Sequence, residues 1–352
     1  MLRLFIWLIP CTLLLLLSGA LMALGAARLF PGDVLVISMV LETNGCNLTS
    51  PSTKTIIDLR AGLACRLNAA GTSQVIASWS PGGDQIAMAV GTSGSNVETD
   101  LHIVDVPSGA YLNLTAEQSG FIARDPVWSP DGRVIAFTGV QGRSSLLYIA
   151  EMSEAQMFTT PQLVSRAGLY ANNLPTWSPD GTQLAFATQD ERLRPVVCVL
   201  RLDETDTDCL ANGEQPNWSP DGTALAFVGR EELLGVQILN LETGELRQLS
   251  RYGEQPVWSP DGKSVAYVVQ DGVPGASSWQ RQLEVVDMQT QVRRVVARPI
   301  TFSTFYPVWS ADSQRVFVIM RDERTVRAVN IHTGSSQSMR LANRITSLAP
   351  RP

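Results

Sequence analysis

Polar side chains stand just before the prolines of a short repeated sequence, and they are the residues best suited to chemistry. Each lies one or two positions before a proline that is itself two positions before a tryptophan. Carboxylates, an amide and a phenol offer hydrogen-bond acceptors and negative charge, which suit a cation, a basic peptide segment or a polar ligand. The candidate binding residues are Asp125, Asn173, Glu214, Glu254 and Tyr306.

No local motif indicates a catalytic site. His102 and His332 are the only histidines, and the sequence contains no GxSxG nucleophile elbow, no CxxC pair and no Gly-rich phosphate loop. We therefore expect no catalytic residues, no metal site and no cofactor. An enzyme site assembled from residues far apart in the sequence stays an alternative, because no local motif would reveal it.

The tryptophans near these candidates belong to a pattern that recurs six times. One copy is VWSPDGRVIAFTG, which begins at Val127. The repeat tryptophans are Trp79, Trp128, Trp177, Trp218, Trp258 and Trp309, spaced 49, 49, 41, 40 and 51 residues apart. This period is typical of a four-stranded propeller blade and is too long for most helical repeats.

Each copy predicts a strand, a tight turn and further strands. In Ser-Pro-Asp-Gly, proline presets φ, aspartate suits the third turn position, and glycine takes a positive φ at the fourth. A buried strand follows, as at 133–137, and later strands are predicted at 235–241 and up to Leu249. The fold class is therefore all-β, with blades of four antiparallel strands, A to D, and few helices after residue 30.

The two ends of the chain predict one further, composite blade. Residues 33–38, 54–59 and 64–67 resemble strands B, C and D without a strand A, and residues 345–350 resemble a lone strand A. Pairing of the two ends would close a seven-bladed propeller and remove its exposed sheet edges. Six blades, with the first segment packed outside the ring, is the alternative.

In a propeller, the starts of the A strands line the mouth of the central channel, on the face that holds the B–C and D–A loops. The polar candidates would then form a mainly acidic rim, and a water-filled channel without a ligand is the simpler alternative. Trp279 lies outside the repeat pattern, in a long B–C loop at 270–282 on the same face. It is either a binding anchor or a cap on the blade beneath it.

The N-terminal segment predicts a membrane anchor. Residues 4–27 form 24 uncharged positions, enough for a helix to cross a bilayer core of about 30 Å. We assign residues 1–30 to a transmembrane signal anchor and residues 31–352 to the propeller, with a cleaved signal peptide as the alternative. The amino terminus is expected in the cytoplasm and the propeller outside it.

Charge and cysteine content narrow the partners and the compartment. The net charge is −6 and no basic run occurs, which argues against binding to nucleic acid. Cys198 and Cys209 flank a short turn and could meet across a hairpin, which leaves Cys46 to pair with Cys65. Free buried thiols are the alternative to both disulfides.

The repeats resemble the WSPDG-type repeats of TolB-like proteins, which are related to the WD-repeat class, and those of prolyl-oligopeptidase-type propellers. The resemblance covers about residues 33–350. It departs at Gly82-Gly83 in the first copy and at Ala311-Ser313 in the last, where weaker turns are expected. It implies the fold more than the activity. TolB-like proteins are envelope proteins that bind other proteins, whereas the peptidases carry their nucleophile in a separate domain.

These observations predict a membrane-anchored binding module for protein–protein interaction or ligand sensing at the cell envelope. Its partner would be another protein, such as an envelope protein or a peptide segment. Two other functions stay open. One is a hydrolase or lyase with a dispersed site in the channel, and the other is an accessory subunit of a separately encoded peptidase or transporter.

Overall fold

The strands follow the repeat pattern along the chain. A computed structural model of the chain describes residues 34–40, 53–58, 63–67, 77–91, 99–105, 111–116, 122–142, 144–153, 158–165, 175–203, 207–271, 280–300, 306–340 and 345–350. The segment predicted to be an anchor, residues 4–27, lies outside these ranges. Across the described residues, no helix combines the length and hydropathy needed to cross a membrane.

The described residues form 27 β-strands and a single 3-10 turn at Glu231–Leu233. The strands of the first half are β1 (Val34–Val40), β2 (Thr53–Asp58), β3 (Leu63–Leu67), β4 (Ala77–Trp79), β5 (Gln85–Gly91), β6 (Thr99–Asp105), β7 (Tyr111–Asn113), β8 (Ile122–Trp128), β9 (Val134–Gln141), β10 (Ser144–Glu151), β11 (Gln162–Ser165), β12 (Thr176–Trp177), β13 (Gln183–Gln189) and β14 (Pro195–Arg201). Those of the second half are β15 (Thr207–Trp218), β16 (Ala224–Gly229), β17 (Gly235–Asn240), β18 (Leu246–Ser250), β19 (Gly253–Trp258), β20 (Ser264–Asp271), β21 (Gln280–Asp287), β22 (Arg293–Ile300), β23 (Val308–Trp309), β24 (Arg315–Ile319), β25 (Thr325–Asn330), β26 (Ser336–Arg340) and β27 (Ile345–Pro350).

These strands form antiparallel meanders grouped in five sheets. Strands β4–β11 form an eight-stranded sheet and β12–β18 a seven-stranded sheet, and β19–β22 and β23–β26 each form a sheet of four. Within each meander, consecutive strands pair with each other, as the tight turns of the sequence require. The all-β, propeller-like fold predicted from the repeats is therefore confirmed.

The fifth sheet joins the two ends of the chain. Its strand order is β27-β1-β2-β3, with Val34 opposite Pro350 and Val36 opposite Leu348. Strand β27 also lies beside β4 of the first copy and β23 of the last. The composite sheet predicted from the terminal segments is therefore confirmed, and it places the C-terminal strand between the first and last copies of the repeat.

The Ser-Pro-Asp-Gly turn closes in the same way in each copy. In the second copy, the N–H of Gly132 donates to the carbonyl of Ser129 at 2.9 Å, and Gly132 has φ +73°. The Ser129 hydroxyl also donates to Asp131 at 2.5 Å. The aspartate of the motif is therefore a structural residue, as its position in the turn predicts.

The first and last copies keep this turn despite their altered sequences. The turns at Ser80 and Ser310 close at 2.9 Å, the same distance as in the other copies. In the first copy, Asp84 accepts the Ser80 hydroxyl in place of the missing motif aspartate. In the last copy, Ser313 takes the position of glycine with φ +59°. The weakening expected at these two turns is not visible in their hydrogen bonds.

The repeat tryptophans connect neighbouring copies. In four of the six copies, the indole Nε1–H group donates to the carbonyl of the residue just before the tryptophan of the preceding copy. These bonds are Trp128 to Ser78, Trp177 to Val127, Trp218 to Thr176 and Trp309 to Val257, at 3.1–3.2 Å. The Nε1 of Trp258 has no hydrogen-bond partner among the described residues.

The hydrophobic core lies between neighbouring copies rather than inside one. Leu147 of the second copy packs in one cluster with Trp177 and Phe186 of the third. All six residues of β16 are buried, because this strand is covered on both faces. This packing explains the nearly continuous apolar runs after each turn, since a strand between two layers needs no polar face.

Candidate functional site

Strand A of three copies contains a β-bulge next to its proline. The pairing register shifts between Arg124 and Val127 in β8, and at the equivalent positions of β15 and β19. The residue before the proline is left-handed in all three, with φ +52° at Asp125, +58° at Gln215 and +56° at Gln255. Proline has no N–H for the ladder, so the bulge places these residues outside the regular pairing.

Asp125 is the buried carboxylate of this set. It is only 8% exposed, and burial raises the pKa of its carboxyl to about 7, while the charge of Arg124 opposes the rise. Both protonation states are therefore populated near neutral pH, so this group is able to accept or release a proton.

Glu214 and Glu254 occupy the position before the left-handed residue, and each is paired with an arginine. Glu214 forms an ion pair with Arg230, and Glu254 Oε2 lies 2.5 Å from Arg281 Nη2. The Arg281 side chain is 10% exposed, so its charge is held inside the protein by this pairing. The rim is therefore not a set of bare carboxylates, and sequence patterns gave no signal for the two arginines.

Tyr306 lies within reach of carboxylates from three other copies. Burial, followed by the charges of Asp125, Glu214 and Glu254, raises the pKa of its phenol well above the ordinary value of 10. All three charged groups that act on this phenol are negative. The Tyr306 hydroxyl is buried and has no hydrogen-bond partner among the described residues. Three of the predicted rim residues thus act electrostatically on a fourth, Tyr306.

A small cavity lies beside Tyr306, between the sheet of β19–β22 and the sheet of β23–β26. Gln255 and Tyr306 supply its polar groups, and Val268, Ile300 and Val318 are among its apolar walls. Its volume is about 10 Å³, the space of one water-sized group. Gln255 is 4% exposed, and its Oε1 also has no partner within the described part of the chain.

The sequence identified the segment that contains Gln255 but not this residue. The charge of its neighbour Glu254 makes that residue the more obvious candidate. The residue directly before each proline indicates the site better than the charged residue one position earlier, because the bulge displaces it from the strand ladder.

The remaining predictions have mixed outcomes. Asn173, Trp279 and Cys46 lie outside the described residues, so the fifth rim residue, the loop tryptophan and the pairing of Cys46 with Cys65 stay predictions. The structure joins Cys198 to Cys209 by a disulfide between the facing strands β14 and β15.

The repeat and its turn match a known family. The family model described as the TolB beta propeller domain matches residues 51–232 of the sequence. The chain belongs to the TolB β-propeller family. This assignment agrees with the antiparallel meanders and the repeated turn, and it confirms the resemblance drawn from the WSPDG motifs.

Solved structures share the fold of this TolB-family chain at low sequence identity. TolB from Acinetobacter baumannii has a TM-score of 0.56 and 16% identity, over 90% of this chain and 83% of that one. A puromycin-hydrolyzing peptidase from Mycobacterium tuberculosis has a TM-score of 0.60 and 17% identity, over 82% of this chain and 49% of that one. An oligogalacturonate lyase from Vibrio parahaemolyticus has a TM-score of 0.56 and 14% identity, over 88% and 86%.

These structural neighbours have different activities, so the shared fold does not distinguish a binding protein from an enzyme. No curated protein matches the sequence. The function therefore has to be argued from the site itself.

Proposed function

We propose that this chain is a membrane-anchored β-propeller that binds a basic segment of another protein at its channel mouth. The observation that supports this most is the Tyr306 hydroxyl, which is buried, is unpaired within the described residues, and has its pKa raised by the charges of three carboxylates. A buried polar group without a partner costs roughly 1–3 kcal/mol, so a ligand that hydrogen-bonds there removes a penalty. The chain as a whole carries a net charge of −6, which favours a cationic ligand over an anionic one.

The proposal includes a ring of seven blades. A single parallel pair, Thr99 with Ile122, connects the two halves of the eight-stranded sheet. Strand β15 pairs with β14 through its first half and with β16 through its second, so it belongs to two groups. Counted in both, it divides the seven-stranded sheet into β12–β15 and β15–β18, each a group of four strands. With the composite sheet and the two remaining meanders, this division supports seven blades. Electron microscopy of the detergent-solubilised chain should show seven spokes in top view, and six would refute the count.

The proposal also places the propeller outside the cytoplasm, anchored by residues 4–27. The disulfide between Cys198 and Cys209 supports this placement, because disulfides persist in oxidising compartments. A tag fused after Pro352 should be degraded when protease is added to spheroplasts. A tag that stays intact until the membrane is lysed would place the propeller inside.

The binding proposal predicts that removal of two rim charges weakens capture of a basic peptide. The probe is a fluorescent, N-acetylated hexalysine. The measurement is its anisotropy as full-length, detergent-solubilised chain is added at about 0.15 M salt, where the Debye length is about 8 Å. The double variant Glu214→Gln with Glu254→Gln should bind about tenfold more weakly, because each lost charge raises the potential at the channel mouth.

The matched control removes the same number of charges far from the channel mouth. Glu242 and Glu245 lie in the exposed turn between β17 and β18. Changing both to Gln should leave hexalysine affinity within about twofold, since exposed charges beyond the Debye length are screened. If the two double variants lose affinity equally, net charge explains the binding and the proposed site is wrong.

A second function is favoured by one observation. The pKa of Asp125, at about 7, suits a general acid or base near neutral pH, as in a hydrolase or lyase with a channel site. The net charge of −6 disfavours anionic substrates, so neutral or basic oligosaccharides are the appropriate test. Turnover that disappears in Asp125→Asn would support this function, and no turnover by the natural chain would remove it.

A further inference from the structure

One outer strand of the propeller exposes acidic and apolar side chains together. The first half of β15 pairs with β14 alone, so it is the outermost strand of its meander. Asp208 and Leu210 on this strand, and Leu202 and Asp203 in the turn before it, are exposed. Within the described residues, neither aspartate has an ion-pair partner. We call these four residues the acidic edge.

A second outer strand exposes basic and apolar side chains. Strand β22 is the last of its sheet, and Val292, Arg293, Arg294 and Val295 at its start are exposed. Arg294 donates to the Ile331 carbonyl at 3.4 Å. No ion pair joins either arginine to a carboxylate in the described part of the chain. We call these four residues, 292–295, the basic edge.

The outermost strand of the last copy provides a reference inside the same molecule. Strand β26 is also the last of its sheet, and it exposes Ser336, Gln337 and Ser338, which are polar and uncharged. The fold therefore does not require charged or large apolar side chains on an outer strand. Their presence on the two edges calls for another explanation.

The two edges belong to segments of opposite charge. Residues 203–245 contain ten acidic residues and one basic residue, whereas residues 246–352 contain fourteen basic and eight acidic residues. Surfaces that favour the monomer mix both signs of charge. Charge that is separated in this way attracts and orients a complementary surface.

We propose that the acidic edge of one molecule binds the basic edge of a second molecule of this chain, with aspartates beside arginines and leucines packed on valines. Each chain carries both halves of this interface. The two halves do not meet within one chain, because β16–β18 pack between the strands of the third copy and those of β19–β22. The inference goes beyond the proposed function and does not depend on binding at the channel mouth.

Because the two edges differ, each added molecule leaves one free edge of each kind, and assembly continues beyond the dimer. Sedimentation velocity of the full-length, detergent-solubilised chain should show a mass that rises with concentration between about 1 and 100 μM. An increase from about 0.15 M to about 1 M salt should weaken association about tenfold, because the Debye length falls from about 8 Å to 3 Å.

Reversal of charge on either edge should give monomers. One variant combines Asp203→Arg with Asp208→Arg, and the other combines Arg293→Glu with Arg294→Glu. An equimolar mixture of the two should form dimers and nothing larger, since each retains one natural edge and the two reversed edges remain free. A chain with all four substitutions exchanges the charges of its edges, so it should associate as the natural chain does.

The controls make the same changes in charge at other exposed positions. They are Glu242→Arg with Glu245→Arg, and Arg324→Glu with Arg340→Glu. Both should associate within about twofold of the natural chain, because exposed charges beyond the Debye length are screened. Circular dichroism of every variant shows whether the fold is retained.

Three results would overturn the inference. The natural chain could stay monomeric over the whole concentration range. Association could persist unchanged in both edge variants, which would assign it to another surface. The chain with all four substitutions could remain monomeric although folded, which would show that the two edges do not bind each other.

Discussion

At the scale of single residues, the β-bulge holds Asp125 as a buried carboxyl, whereas the equivalent positions of β15 and β19 hold glutamines. The left-handed backbone at φ +52° removes it from the ladder, and the surrounding protein leaves it 8% exposed. Asparagine tolerates this backbone conformation at least as well as aspartate. Replacement by asparagine therefore removes the titration while retaining the backbone and nearly the same volume.

Asp125 should make the stability of the propeller depend on pH. Its folded-state pKa of about 7 exceeds the value of 3.8 for an unperturbed carboxyl, so folding favours the protonated form. Its contribution to folding stability is complete below the unfolded-state pKa of 3.8. That contribution is lost as the pH rises through the folded-state pKa of about 7. The loss is at most about 4 kcal/mol, given roughly 1.4 kcal/mol for each pH unit. Urea unfolding between about pH 4 and pH 8 should show Asp125→Asn gaining stability relative to the natural chain.

The aspartates of the repeat turns change stability with pH in the opposite direction. They are present in both the natural chain and Asp125→Asn. The Ser178 hydroxyl and the N–H of Thr182 lower the pKa of Asp180, so its contribution is lost only when the pH falls well below neutral. This loss cancels in the comparison of variant and natural chain. Identical pH profiles for the two proteins would mean that the Asp125 carboxyl is not buried in solution.

At the scale of strands and turns, the tryptophans fix each copy to the one before it. The indole N–H of Trp177 donates to the Val127 carbonyl at 3.2 Å, and its ring packs with apolar residues of the preceding copy. Trp258 has the same position in its copy without this bond, and its backbone N–H instead donates to the Asn217 side chain at 2.9 Å. The two tryptophans therefore form a matched pair for the hydrogen bond.

Replacement of tryptophan by phenylalanine should separate packing from hydrogen bonding. Trp177→Phe loses ring volume and also leaves the Val127 carbonyl without its donor, whereas Trp258→Phe loses ring volume and removes a buried N–H that has no partner among the described residues. We expect Trp177→Phe to be the more destabilising variant by about 1 kcal/mol, the net value of one hydrogen bond. Chemical denaturation with tryptophan-independent detection, such as circular dichroism, measures both. Equal losses would show that the indole bond contributes nothing to stability.

At the scale of the whole molecule, the ring depends on six residues at the end of the chain. Strand β27 pairs with β1 and lies beside both β4 and β23, so it connects the N-terminal sheet to the first and last copies. Without it, β1 would present an unpaired edge, which favours aggregation.

Deletion of residues 345–352 should therefore destabilise the propeller by roughly 3–6 kcal/mol, the sum expected for the lost ladder bonds. Deletion of Arg351 and Pro352 alone is the control, and it should leave the denaturation midpoint unchanged. Size-exclusion chromatography should show aggregation of the longer deletion only. A truncated chain as stable and as monomeric as the control would mean that closure by β27 is not needed.

The sequence alone determined the elements of this protein. A turn made by proline, aspartate and glycine is a local preference of the backbone, so its four complete and two altered copies specified where the chain reverses. The apolar runs after each turn specified buried strands, and the strand-like segments at the two termini specified the composite sheet. All of these are short-range or additive properties, and they can be recognised without knowing which residues meet in space.

Only the tertiary structure decided what the site contains. Asp125 and Tyr306 are about 180 residues apart in the sequence, and only a closed circle of strands brings their charges within reach. The arginine partners of Glu214 and Glu254, and the unpaired oxygen of Gln255, follow from distances across neighbouring sheets. Burial and pairing are properties of surroundings, and distant segments of the chain supply those surroundings.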